Sequence, residues 1–66
     1  MVYKKIELVG TSTESFEEAV DDAIGRAERT LDNVSWVEVT EQRVGIEGHD
    51  VPEYQAEVKV AFGLEE

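Results

Sequence analysis

The chain has no cysteine and a single histidine, His49. Disulfides and thiolate metal sites are therefore excluded, as is any cluster of histidine ligands. Cations are scarce: six Lys and Arg stand against sixteen Asp and Glu, a net charge of −10. A surface of that sign repels nucleic-acid phosphates and anionic lipid, so neither partner is expected. No apolar run approaches membrane length, and Met1-Val2-Tyr3-Lys4-Lys5 is not followed by an apolar core region. No signal segment or membrane span is read, and a cytoplasmic location is expected. Gly45, Gly48 and Gly63 do not form a GxGxxG pattern, and no nucleophile elbow or metal motif is present. No catalytic residue and no metal ligand is assigned. His49 lies in a polar turn without an evident nucleophile and reads as a solvated residue. The pairs Glu17-Glu18 and Asp21-Asp22 read as a solvated helix face, and Lys4-Lys5 is too short a basic run for nucleic acid.

What is present is short and acidic but apolar enough to fold. Sixty-six residues make one domain, taken as residues 1–66. A chain of this size buries only about 60% of its unfolded surface. Ordering each residue costs roughly 1–2 kcal/mol of backbone entropy. With disulfides and metal removed from the usual remedies, oligomerisation remains. The apolar fraction of 41% argues against disorder at this charge. The negative surface serves solubility, or suits high salt where mobile ions screen self-repulsion; composition does not separate these.

The patterning predicts a β-α-β-β order. Val2 to Val9 alternates, with Ile6 and Leu8 marking the buried side and Gly10 ending the strand. Ser15 and Glu18 have capping-box spacing. The helix after them carries an apolar stripe of Phe16, Ala19, Val20, Ala23, Ile24, Ala27 and Leu31. Gly25 either permits close packing or is merely tolerated. Asp32-Asn33 closes the helix, with Asn33 suited to a left-handed end. A second strand runs from Val34, as far as Glu47. Val37 and Val39 are its core positions, but the alternation slips after Val39, which calls for a bulge or a second half packed on another chain. Gly48-His49-Asp50 turns the chain. Val51 to Leu64 then points Tyr54, Ala56, Val58, Val60, Phe62 and Leu64 inward. The expected fold is α+β: a three-stranded antiparallel sheet in the order 1-3-2, packed on one helix. The outer face would carry Trp36, Glu38, Thr40, Gln42, Gln55 and Glu57.

Trp36 is the only tryptophan, and it falls on that outer face. Side chains alternate along a strand, so inward Val37 and Val39 turn Trp36 away from the core. A large apolar group there needs a partner, either another subunit or a flat ligand. Gln55, expected on the same face, offers a donor and an acceptor on one planar amide. The two suit a heteroaromatic ligand with a polar edge, such as a flavin or pterin. From the residues alone a protein–protein contact is favoured, because tryptophan is enriched at interfaces.

The chain resembles the dodecin family over nearly its whole length. The resemblance is carried by Val2-Tyr3-Lys4-Lys5-Ile6-Glu7-Leu8-Val9-Gly10-Thr11-Ser12, Ala23-Ile24-Gly25-Arg26-Ala27, Thr30-Leu31, Trp36-Val37-Glu38-Val39, Glu53-Tyr54-Gln55 and Val58-Lys59-Val60-Ala61-Phe62. It implies a hollow dodecamer that binds flavin without catalysis. Two flavins would stack at a two-fold interface between two copies of Trp36, with Gln55 bonding the polar edge of the isoalloxazine. Glu38 is a further candidate contact. Arg43 matches a basic position of some bacterial members; it either holds a ribityl or phosphate group or forms a salt bridge to a neighbouring subunit. The ligand expected is riboflavin, with FMN or FAD as alternatives. Some members also bind coenzyme A, for which Tyr3, Lys4 and Lys5 are the nearest candidates. The negative charge is similar to that of salt-loving members. The role implied is flavin storage or buffering with quenched photochemistry. The alternatives are a flavin-dependent oxidoreductase and a purely structural assembly module.

Overall fold

A computed structural model describes residues 1–65. Its elements are β1 (Val2–Ser12), α1 (Phe16–Thr30), β2 (Val34–Gly45) and β3 (Glu53–Leu64). The sheet order is β1-β3-β2 with both pairings antiparallel, as the patterning predicts. Among the described residues, no helix is long and apolar enough to cross a membrane.

The helix begins where its capping residues place it. Ser15 has extended backbone angles, and its hydroxyl accepts from the Glu18 amide at 3.1 Å. The reciprocal arm of the capping box goes elsewhere. Glu18 accepts instead from the Ser12 hydroxyl at 3.1 Å, and the Ser12 oxygen accepts from the Glu14 amide at 2.9 Å. The end of β1 and the start of α1 are thus tied through one serine. Asp22 adds a second tie by accepting from the Thr11 amide at 3.1 Å. At the far end the helix closes before the expected Asp32-Asn33: Leu31 is the C-cap, extended at φ −123°, with its N–H on the Ala27 carbonyl, and the left-handed Asn33, φ 61°, leads the chain into β2 instead.

Ala19, Ala23 and Ala27 form the buried face of α1, one turn apart. Against them lie Ala56, Val58 and Val60 of β3, with Ile6, Leu8, Val20, Leu31, Val34 and Val37 partly buried around the edge. No fully buried side chain among the described residues is larger than valine. The core is thin because the helix sits close to the sheet, and Gly10 is the reason it can. A Cβ on Gly10 would overlap the Ala19 carbonyl oxygen and lie 2.8 Å from the Ala23 amide nitrogen. The expectation that Gly10 ends the strand is therefore corrected. β1 continues to Ser12, and the glycine is a contact point beneath the helix. Gly25 meets nothing within 4 Å, so within the chain it is tolerated rather than required.

β2 breaks register twice, between Val34 and Trp36 and between Val39 and Glu41. The second break is the expected slip after Val39. The first, at Ser35, was not expected; it lets both Val34 and Val37 turn inward despite their odd spacing. After Thr40, Glu41 stands opposite Glu57, Gln42 opposite Ala56 and Arg43 opposite Gln55. Directly opposed residues share a face. Gln42, expected on the outer face, therefore lies on the helix side, and Glu41 and Arg43 take the outer side. The hairpin connection is longer than expected: β2 stops at Gly45 rather than Glu47 and β3 starts at Glu53 rather than Val51, with Gly48 at φ 80° in the turn.

Candidate functional site

The face of the sheet away from α1 carries two polar clusters, one at each end. The first is built around Trp36. Lys5 of β1, Ala61 of β3 and Trp36 of β2 form one cross-strand row. Ala61 faces away from the helix, yet it is fully buried, because the larger neighbours cover it. The Tyr3 ring lies 4.8 Å from the indole, tilted by 59°. The indole Nε1–H donates to Glu38 Oε2 at 2.9 Å. The same carboxylate oxygen pairs with Lys5 Nζ at 2.6 Å, and that ammonium lies 6.0 Å from the indole centroid. Lys5 first, then Trp36, lower the Glu38 pKa, because both bond the ionised carboxylate. Trp36 as a residue remains 40% exposed.

The second cluster is built around Arg43. Its Nη2 donates to Glu57 Oε1 at 2.9 Å, its Nε to Glu41 Oε1 at 3.2 Å and its Nη1 to Gln55 Oε1 at 3.5 Å. Two carboxylates directly opposed across strands repel, and the guanidinium resolves that repulsion by bridging them. Glu57 and Glu41, in that order, raise the Arg43 pKa still further. Gln55 Nε2 donates to Glu53 Oε1 at 3.0 Å. Gly45 makes room for this end of the hairpin: a Cβ there would stand 3.0 Å from Gln55 Nε2 and 3.3 Å from His49 Nε2.

The four expected site residues therefore share one face but not one place. Trp36 and Glu38 are in direct contact, as are Arg43 and Gln55. Within one chain Trp36 and Gln55 are separated by six positions of β3, from Gln55 to Ala61, or about 20 Å of strand. Tyr3, Lys4 and Lys5 do not converge either. Lys4 pairs with Phe62 on the helix side, while Tyr3 and Lys5 join the Trp36 cluster. From the sequence, Tyr3 is a candidate only for coenzyme A and is not placed beside Trp36. The signal was the shared outward parity of Tyr3, Lys5 and Trp36 on two strands flanking β3.

Glu38 of the first cluster and Glu41, Glu53 and Glu57 of the second belong to no metal-binding group among the described residues. Among the described residues no three or more His, Asp or Glu side chains are placed to hold a metal ion. A concavity of about 330 Å³ opens beside α1, lined by Leu8, Val9, Asp22, Ala23, Arg26 and Arg29. None of the expected site residues contributes to it.

Residues 2–65 match the family model described as Dodecin. The chain is 51% identical over 65 residues to the dodecin of Thermus thermophilus, covering 98% of this chain and 94% of that protein. It is 33% identical over 63 residues to the calcium dodecin of Mycobacterium tuberculosis, covering 96% and 89%. The solved structure of the Streptomyces coelicolor dodecin superposes with a TM-score of 0.88 at 42% identity, covering 98% of this chain and 93% of that one.

Proposed function

The chain belongs to the dodecin family, and from that premise we propose that it is a non-catalytic flavin-binding protein. It sequesters riboflavin as stacked pairs between Trp36 residues of a homododecamer and so buffers the free flavin pool. The observation that carries the reading is the state of Trp36: an exposed indole on the face away from the helix, held at its Nε1 edge and flanked by Tyr3. A fixed, exposed aromatic plane is a stacking surface already formed before a ligand arrives.

Several features support the fit. Gln55 spends one amide proton on Glu53 and one lone pair on Arg43. A glutamine amide has a second proton and a second lone pair, which leaves an edge for a ligand. The six-position gap between Trp36 and Gln55 exceeds the span of one three-ring system and a hydrogen bond. A site using both residues takes them from different chains, which suits a homo-oligomer. The thin core supports assembly as well. Val9 and Val39 are about half exposed and Ile46 is 71% exposed in the single chain. When bound and excited, a flavin accepts an electron from a neighbouring indole, so the bound ligand is dark.

The test is titration of riboflavin with protein while following flavin emission. Emission falls to a small residue at saturation, and Trp36→Ala weakens both binding and quenching. Full emission at saturating protein sinks the proposal. Turnover of NAD(P)H with an acceptor by the flavin-loaded protein would replace it with an oxidoreductase.

A further inference from the structure

We infer that Glu38 is a positioning residue: its carboxylate fixes the indole of Trp36 in one orientation before any ligand binds. Trp36 lies on β2, an edge strand, with no third strand beyond it to wedge its ring. A tryptophan so placed has rotamers to choose from, and ordering it on binding would cost affinity. Glu38 is two residues along the same strand and so points from the same face. It accepts from the indole Nε1–H at 2.9 Å. It cannot swing away freely, because Lys5 of β1 holds the same oxygen at 2.6 Å. That link spans the full width of the sheet. It passes over β3 beside Ala61, an outward position small enough to lie beneath it. Tyr3 blocks the ring from the side. Glu38 then serves the ligand through the indole and not by touching it. This inference about the ligand-free chain stands by itself; its consequence for affinity rests on the flavin reading.

The experiment compares Glu38→Ala and Glu38→Gln with the parent protein, each confirmed by sizing to keep its assembly. In the ligand-free proteins, near-ultraviolet circular dichroism of the single tryptophan reads its fixed orientation. Glu38→Ala loses most of that signal while far-ultraviolet spectra stay unchanged. Glu38→Gln, which keeps an acceptor for the indole N–H, restores it. Riboflavin affinity falls roughly three- to tenfold in Glu38→Ala, the cost of ordering one side chain, and recovers in Glu38→Gln. An unchanged tryptophan signal in Glu38→Ala overturns the inference, and so does a Gln variant no better than Ala. Should the Ala variant not assemble, Glu38→Met decides, since it keeps a side chain of similar length and removes the oxygen acceptor. It loses the tryptophan signal that Glu38→Gln keeps; equal signals in the two overturn the inference. A parent protein that ignores riboflavin while the ligand-free signals behave as stated refutes the flavin reading and leaves the positioning role intact.

Discussion

Trp36 and Gln55 lie on the same face of the sheet, yet Trp36 is opposed to Ala61 and Gln55 to Arg43, six positions further along β3. If a flavin site needs the indole of one chain and the amide of another, the two functions complement between chains. Trp36→Ala and Gln55→Ala homo-oligomers each bind riboflavin poorly. When the two variants are unfolded together and reassembled, a fraction of sites receives an intact indole and an intact amide. Riboflavin quenching then recovers in the mixed assembly above the level of either parent. No recovery, with mixing verified by mass, would place both residues in one chain's site or remove Gln55 from it.

Gly10 and Gly25 have opposite stakes in the fold. Gly10→Ala drives a methyl group into the Ala19 carbonyl and close to the Ala23 amide, both backbone atoms of α1. The helix must lift from the sheet, at a cost of about 1–3 kcal/mol or more. Gly25→Ala meets open space and replaces the poorest ordinary helix former with the best, a gain of about 1 kcal/mol. Denaturant midpoints at fixed protein concentration should therefore fall for the first variant and rise for the second. A neutral Gly10→Ala would mean that the helix sits farther from β1 than described.

The architecture was legible because its signals are local and redundant. Ser15 caps, the alanine stripe repeats at one helical turn, and β3 alternates without interruption from Tyr54 to Leu64. Bulges are harder. The slip after Val39 showed as a parity conflict, because apolar residues on both sides of it claimed opposite faces. The break at Ser35 left no such trace: Val34 is one residue, and a single position has no parity of its own. Gly10 was misread for a related reason. A glycine in a strand reads as an ending, and only the helix overhead shows it as a contact. The partition of the site into two clusters was out of reach, since face can be read from alternation but distance along a strand requires register. The ligand reading itself came from family resemblance, because outward parity alone left Trp36 between an interface and a stacking site.

Acid should loosen the Trp36 cluster before it unfolds the chain. Lys5 from β1 and the indole from β2 both bond the ionised Glu38, and Lys59 from β3 adds a weaker attraction. The folded pKa therefore lies below the ordinary value of 4.5. A depressed carboxylate contributes stability that is fully present above its unfolded pKa and is lost as pH falls through the folded one. The stability difference between the parent and Glu38→Gln should be largest near neutrality and should shrink as pH drops below the ordinary carboxylate range. Urea midpoints across that interval measure it. A difference that grows toward acid would reverse the assigned sign.

Arg43 bears on which flavin is preferred. Its guanidinium is already bridged to Glu41 and Glu57 and lies against Gln55, so it offers a phosphate little unspent charge. Around it the chain carries a net charge of −10. A flavin bearing phosphate therefore approaches a repelling surface with its nearest cation occupied. Riboflavin should bind more tightly than FMN or FAD at low ionic strength. Added potassium chloride should narrow the gap, because screening acts on the charged ligands and scarcely on the neutral one. Arg43→Ala should lower stability by leaving Glu41 opposed to Glu57, an effect that salt partly reverses, while the riboflavin preference persists. Fluorescence titrations of the three flavins at low and high salt supply the comparison. FMN binding as tight as riboflavin at low salt, and weakened by Arg43→Ala, would show that the guanidinium leaves its carboxylates to hold the phosphate.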